Sequence, residues 1–223
     1  MTDISDPAWR LGRLDACAVS DALDKLGLAG AVSGLPPLSV ARRIAGRIHT
    51  VKLVASDQAP PRQGPPVHLG CAAIAASSPG DIIVVEQLSG IDCGSWGGIL
   101  SLGAKLKGVA GVVADGPVRD VDEARQLDFP VYGRSATART ARGRIVEAAT
   151  DVPVTIGAVA VSPGDYVIAD GSAAVFIAAG DILRVLDAAE AIAAREAAMA
   201  RALLAGKPIH EVMGADYEHM LRG

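Results

Sequence analysis

Aromatic side chains are scarce in this chain. Only 3% of its 223 residues are Phe, Trp or Tyr, although half are hydrophobic. The core must therefore be built from Ala, Val, Ile and Leu, and the length suits one compact domain with a sizeable core. Cysteine is also sparse: Cys17, Cys71 and Cys93 are odd in number and lack metal-binding or CxxC spacing. Each reads as a small packing residue in a reducing cytoplasm. Net charge is −4 and no long basic stripe occurs, so nucleic acid is not an expected partner. No apolar run approaches the roughly 18 residues that span a bilayer. The opening MTDISDPAWR carries acids and no apolar core of a signal peptide. The expectation is a cytoplasmic protein without a membrane partner.

Several catalytic patterns are missing too. His49, His68, His210 and His219 form no HxH or HExxH pattern, which argues against a histidine-bound zinc site. No GxSxG elbow, P-loop or strand-to-helix GxGxxG is present. Among five lysines only Lys52, in VKLVA, is a fair candidate for the buried amine of a Schiff-base enzyme.

What is present reads as alternating elements. Residues 15–30 suggest a helix stopped by Gly27, 43–55 a strand, 56–66 a Pro-rich loop, and 68–78 a short Ala-rich helix. A buried strand at 82–85 leads through a Gly-rich loop, 89–98, to a helix at 99–108. A strand at 109–116, a helix at 122–128 and a strand at 130–135 follow. Residues 153–181 hold closely spaced short strands, and Ile182 to Leu204 a long helix, broken at 206–214 before a short last helix. The tetrapeptide SPGD recurs at 78–81 and 162–165, each time before an apolar strand, which reads as reuse of a good turn. The order, mixed α and β and then mostly β and then helix, implies a layered α/β or α+β domain.

Two segments hold groups suited to chemistry. CGSWGGIL, 93–100, is a Gly-rich loop entering a helix. A helix start offers unpaired N–H groups and the positive dipole end to a carboxylate or oxyanion, and glycines let a ligand approach the backbone. Glycines serving an ordinary turn are the plainer account. GVVADGPVRD, 111–120, ends in Arg119 and Asp120. Arg pairs with carboxylates in two-point fashion, and Asp is a hard oxygen ligand for Mg²⁺. Together they could hold a 2-oxo acid. The plainer account here is that Asp120 caps the next helix and Arg119 is a surface charge. Cys93, in the Gly-rich loop, is a weaker candidate.

The stretch WGGILSLGAKLKGVAGVVADGPVRDVDEARQLDFPVYGR, 96–134, resembles the signature region of the RraA-like family. That family includes divalent-metal-dependent 4-hydroxy-4-methyl-2-oxoglutarate/4-carboxy-4-hydroxy-2-oxoadipate aldolases and regulators of ribonuclease activity. VSDALDKLGLAG, HLGCAAIAASSPGDIIVV and PVTIGAVAVSPGDYVIADGSAAV fit further family blocks in order, so the likeness covers most of residues 15–180. The resemblance implies a layered β/β/α sandwich of the swivelling-domain type, spanning 1–181, with a helical tail at 182–223. It implies homotrimers or homohexamers with sites between subunits. It implies that Arg119 binds the pyruvyl moiety, that Asp120 holds Mg²⁺ or Mn²⁺, and that the loop of Gly97, Gly98, Ile99 and Leu100 holds the substrate. No organic cofactor is implied.

The implied activity is a lyase that cleaves a 4-hydroxy-2-oxo acid to pyruvate and a second oxo acid, with possible oxaloacetate decarboxylation. The alternative is a non-catalytic regulator that binds a protein partner. The regulator branch lacks the acid after the arginine, and this chain keeps Asp120, within an RD-x-x-E pattern completed by Glu123. One departure stands out. The aldolases carry an acid 21 positions before the arginine, where this chain has Gly98. Asp92 in the same loop, or Glu190 or Glu196 from the tail of a neighbouring subunit, are the expected substitutes.

Overall fold

The computed structural model describes residues 5–59 and 68–214. Residues 60–66 of the Pro-rich loop, the first four residues and His219 lie outside them. In chain order the elements are α1 (Pro7–Leu11), α2 (Ala16–Lys25), β1 (Ala31–Val32), β2 (Ile44–Ala55), α3 (Cys71–Ala76), β3 (Ile82–Gln87) and α4 (Gly98–Lys107). Then come β4 (Gly111–Val118), α5 (Val121–Gln126), β5 (Val131–Ala136), β6 (Ile145–Thr150), β7 (Val154–Ile156), β8 (Val159–Val161), β9 (Tyr166–Ala169), β10 (Ala174–Ile177), α6 (Ile182–Leu204) and α7 (Ile209–Val212). The sequence pattern anticipates most of these; β6 is not anticipated.

The main sheet runs β1-β10-β9-β2-β3-β4-β5, with β6 also on β2 and β7–β8 a separate hairpin. Strands β2 to β5 are parallel, and β9 and β6 pair antiparallel to β2. Successive side chains of a strand face opposite ways, and β3 shows the consequence. Ile83 and Val85 join a core with Trp96, Ala104 and Phe129 beneath α3, α4 and α5. Ile82 and Val84 join a second core with Val154, Ile156 and Val161 of the hairpin. Both faces of the parallel strands are thus covered, which is why they read as unbroken apolar runs. The fold is the expected layered α/β arrangement with a C-terminal helix.

A third core sits on the other half of the sheet. Ile182, Val185, Leu186, Ala189 and Ile192 of α6 pack with α1, α2, Ile168, Val175 and Ile177. The Asp15 carboxylate accepts the Ala18 amide at 2.8 Å and caps α2. Both SPGD turns close alike: Asp81 accepts the Ser78 amide and Asp165 the Ser162 amide, each at 2.7 Å. The repeat is a shared turn chemistry.

Two buried acids at the C-terminal ends of β3 and β4 tie the small hairpin to the sheet. Glu86 accepts the Thr155 amide at 2.5 Å and lies 3.3 Å from the Lys52 ammonium. Asp115 accepts the Arg134 Nε at 2.6 Å and the Gly157 amide at 2.5 Å, and is 4% exposed. Removing one partner of such a pair strands the other. We expect Asp115→Ala to lower unfolding stability by about 3 kcal/mol, read by urea denaturation; a loss below about 0.5 kcal/mol would contradict this role.

Candidate active site

Strand β4 runs past the expected end at Gly116 to Val118, with a register shift against β5 between Ala114 and Pro117. At that irregularity the Pro117 carbonyl turns to the Gly-rich loop and accepts both the Ser95 amide and the Ser95 hydroxyl, each at 2.8 Å. Two residues on, the Arg119 amide donates to the Trp96 carbonyl at 2.9 Å. Trp96 itself is buried, and its Nε1 donates to the Ser101 hydroxyl at 3.0 Å, which donates to the Gly97 carbonyl at 3.1 Å. The loop before α4 is therefore fixed to the end of β4.

Asp120 follows in the left-handed region, at φ 58° and ψ 37°. Asp tolerates that conformation better than most residues. It turns the carboxylate back over the loop: Oδ2 accepts the Gly98 amide at 3.0 Å and Oδ1 the Arg119 Nε at 3.2 Å. Asp120 makes no side-chain cap of α5, the helix that follows it; its bond is to the start of α4. Among the described residues the Ile99 and Leu100 amides, also in the first turn of α4, have no hydrogen-bond partner. They are unpaired donors at the positive end of a helix of 10 residues.

The glycines serve a purpose that the sequence does not reveal. They admit the chain's own side chains. A Cβ on Gly94 would lie 2.7 Å from Arg119 Cγ, and one on Gly97 would lie 2.9 Å from Asp120 Oδ2. A Cβ on Gly98 would lie 1.9 Å from Glu123 Oε2 and 3.3 Å from Asp120 Cβ. The space of a side chain at position 98 is thus already filled by the Glu123 carboxylate, next to Asp120. The Glu123 carboxylate makes no hydrogen bond or ion pair with a described residue, while its backbone carbonyl accepts the Leu127 amide at 2.9 Å. The acid beside Asp120 comes from the first turn of α5, within the same chain.

Within one chain Asp92, Glu190 and Glu196 lie away from Asp120; the expectation for Glu190 and Glu196 concerns those of a neighbouring subunit. Asp92 is 56% exposed on its side chain, faces Arg139 at 3.6 Å and lines a different cleft. Glu190 is bound by Arg10 at 2.8 Å, and that guanidinium holds its carboxyl below the usual range. Glu196 lies against α2, where burial and then Asp15 and Asp21 push its carboxyl up. Lys52 pairs with Glu86, and burial pushes the Cys93 thiol up, so neither is an activated nucleophile.

Gly97, Gly98, Ile99, Leu100, Arg119 and Asp120 do come together, on one wall of a cleft of about 230 Å³. His68 and the segment 140–142 line the same cleft, and no motif in the sequence singles them out. A larger cleft near Arg42 and Lys105 has its cations already engaged: Arg42 by Asp128 at 2.9 Å and Lys105 by the Leu127 carbonyl. Among the described residues no group of three or more His, Cys, Asp or Glu could form a metal cage. Asp120 and Glu123 offer two hard carboxylates without imidazole or thiolate. That donor set suits Mg²⁺ or Mn²⁺, which keep most of their waters, and not zinc.

Comparison with known proteins bears on this site. The model of the RraA-like family, Aldolase/RraA, matches residues 16–176. A protein of Halalkalibacterium halodurans named "Putative 4-hydroxy-4-methyl-2-oxoglutarate aldolase" is 32% identical, over 83% of this chain and 82% of its own length. "Protein DlpA" of Legionella pneumophila is 26% identical over 88% of this chain, which spans only 31% of that relative's length. The crystal structure of Streptomyces coelicolor RraAS2, titled an unusual member of the RNase ES inhibitor RraA protein family, superposes with a TM-score of 0.75. It is 26% identical and covers 88% of this chain and 96% of its own.

Packing and function separate cleanly at this site. Gly94→Ala forces a Cβ against Arg119 Cγ and should cost about 1–3 kcal/mol. Glu123→Gln breaks no contact within the chain and should stay within about 0.5 kcal/mol of the parent. Urea denaturation of both variants checks this; a destabilised Glu123→Gln would make Glu123 a structural residue.

Proposed function

The chain belongs to the RraA-like family, and on that premise we propose that it is a divalent-metal-dependent lyase. Its substrate is a 4-hydroxy-2-oxo acid such as 4-hydroxy-4-methyl-2-oxoglutarate, cleaved to pyruvate and a second oxo acid. The observation that carries this is the convergence of Arg119, Asp120 and Glu123 on the start of α4, where two amides are unpaired.

Asp120 would hold the cation with Glu123 beside it, and the bound metal would supply Lewis acidity at the oxygens of the 2-oxo acid. The chain's own groups do the rest. The Ile99 and Leu100 amides receive the substrate carboxylate at the helix start. Arg119, whose Nε is held by Asp120, keeps its terminal N–H groups for the keto oxygen. Glu123, whose carboxylate has no partner among the described residues, accepts the proton of the 4-hydroxyl. The C3–C4 bond then breaks: its electron pair becomes the pyruvate enolate, and the hydroxyl carbon becomes the carbonyl of the second product. Arg119 offsets the charge that develops on the enolate oxygen. Return of the proton to C3 gives pyruvate. Oxaloacetate would lose CO₂ to the same enolate, so decarboxylation is expected as a second activity.

The aldolase name of the Halalkalibacterium relative supports this reading. A non-catalytic role in binding a protein partner is the alternative, and the RNase-inhibitor title of the Streptomyces structure is what favours it. Asp120 and Glu123 would have no task in such a role. We also propose that the chain is a homo-oligomer, a trimer or hexamer. Ile99, Leu102 and Leu106 form one stripe along α4 and are 81%, 39% and 80% exposed, an apolar face beside the site that a second copy would cover.

Purified protein with Mg²⁺ should release pyruvate from 4-hydroxy-4-methyl-2-oxoglutarate or oxaloacetate, and chelation should abolish the release. Asp120→Asn and Arg119→Ala should each lower kcat/KM by at least about 100-fold while both variants remain folded at the assay temperature. No metal-dependent pyruvate from either substrate would refute the lyase. Leu106→Asp should reduce the mass measured by light scattering; an unchanged mass would show that this stripe is not the contact.

A further inference from the structure

Resting on the lyase proposed above, we infer that Arg142 is the second anion contact of the site, and that it selects 2-oxo acids bearing a further carboxylate at the far end. Four arginines lie between positions 134 and 144. Three are engaged: Arg134 by Asp115 at 2.6 Å, Arg139 facing Asp92 at 3.6 Å, and Arg144 by the Thr140 carbonyl at 3.0 Å. The Arg142 guanidinium makes no hydrogen bond or ion pair with a described residue, and it alone of the four lines the cleft.

The backbone that carries Arg142 is fixed at both ends. The Gly94 amide donates to the Arg139 carbonyl at 2.9 Å, which ties the segment to the Gly-rich loop. The Arg142 amide donates to the Thr140 hydroxyl at 3.3 Å, and the Arg144 and Ile145 amides both donate to the Ala141 carbonyl, at 2.9 and 3.0 Å. A closed turn therefore leads into β6 and holds Arg142 at the rim of the cleft that Arg119 also lines. The cleft thus has two guanidinia, and Arg142 is exposed. Asp120 lines the cleft with Arg119, and a divalent cation there would offset its charge. A substrate with one carboxylate needs only the Arg119 end of the cleft. A 2-oxo dicarboxylate can place its second anion on the planar fork of Arg142. A monocarboxylate gains nothing from that contact, so the arrangement favours the dicarboxylate.

Arg142→Gln keeps most of the length and polarity and removes the charge. It should lower kcat/KM for oxaloacetate and 4-hydroxy-4-methyl-2-oxoglutarate by about 10–100-fold, mainly through KM. Cleavage of the monocarboxylate 4-hydroxy-2-oxopentanoate should stay within about twofold, because no contact to it is lost. Arg142→Lys should recover part of the loss. A second arm needs no turnover: calorimetric titration in Mg²⁺ with 2-oxoglutarate and with 2-oxobutanoate, where only the dicarboxylate should bind more weakly to Arg142→Gln. Equal losses on both ligand types, or no loss on the dicarboxylates, would overturn the assignment. If the parent protein releases no pyruvate from any substrate, the lyase proposal fails, and the titration still decides the role of Arg142.

Discussion

The candidate site depends on two backbone-directed contacts between the end of β4 and the loop before α4. Ser95 reaches the Pro117 carbonyl and Arg119 reaches the Trp96 carbonyl, at 2.8 and 2.9 Å. One puts a helix start beside the end of a parallel strand; the other sets the direction in which Arg119 and Asp120 leave that strand. Parallel sheets bind ligands outside the carboxyl ends of their strands. Here the ends of β3 and β4 are occupied by Glu86 and Asp115, which are buried and bound to the β7–β8 hairpin. The open site is displaced past the end of β4, to the Arg119–Glu123 stretch. Binding elements are thus held on a rigid sheet, with little left to loop ordering.

The glycines are what allow so many charged groups in so little space. Arg119 lies against Gly94, Asp120 against Gly97 and Glu123 against Gly98, each at a distance that a Cβ would block. The carboxylate that fills the space beside Gly98 is thus brought by α5. Among the described residues the Glu123 carboxylate has no partner, while that of Asp120 has two. Asp120 is held in its place, and Glu123 remains available for a ligand or a proton.

Much of this was legible in the sequence, and for identifiable reasons. Continuous apolar runs gave β3 and β4, and the long periodic stretch gave α6 with its bounds, Ile182 and Leu204. Arg119, Asp120 and the Gly-rich loop stand out by residue type, but their roles come from the resemblance to the RraA-like family. What failed was geometric. The strand runs two residues past Gly116, because a register shift lets it include Pro117 and Val118. β6 was missed because IVEAAT pairs with β2, remote in sequence, across its own irregular register. Glu123 completes RD-x-x-E, but that pattern does not place it against Gly98. Only the backbone turn at Asp120, φ 58°, shows that the first turn of α5 folds back over Gly98. Arg142 carried no motif at all; its place in the cleft assigns it.

The central claim is that Glu123, admitted by Gly98, sets a second carboxylate beside the cation-holding Asp120. Binding of Mn²⁺, followed by electron paramagnetic resonance on the parent protein and on Asp120→Asn, Glu123→Gln and Gly98→Ala, tests it most directly. The account predicts one Mn²⁺ per chain in the parent and binding weakened by at least about 10-fold in all three variants, Gly98→Ala included because its Cβ displaces the Glu123 carboxylate. Mn²⁺ binding at parental strength in Glu123→Gln and Gly98→Ala would contradict it.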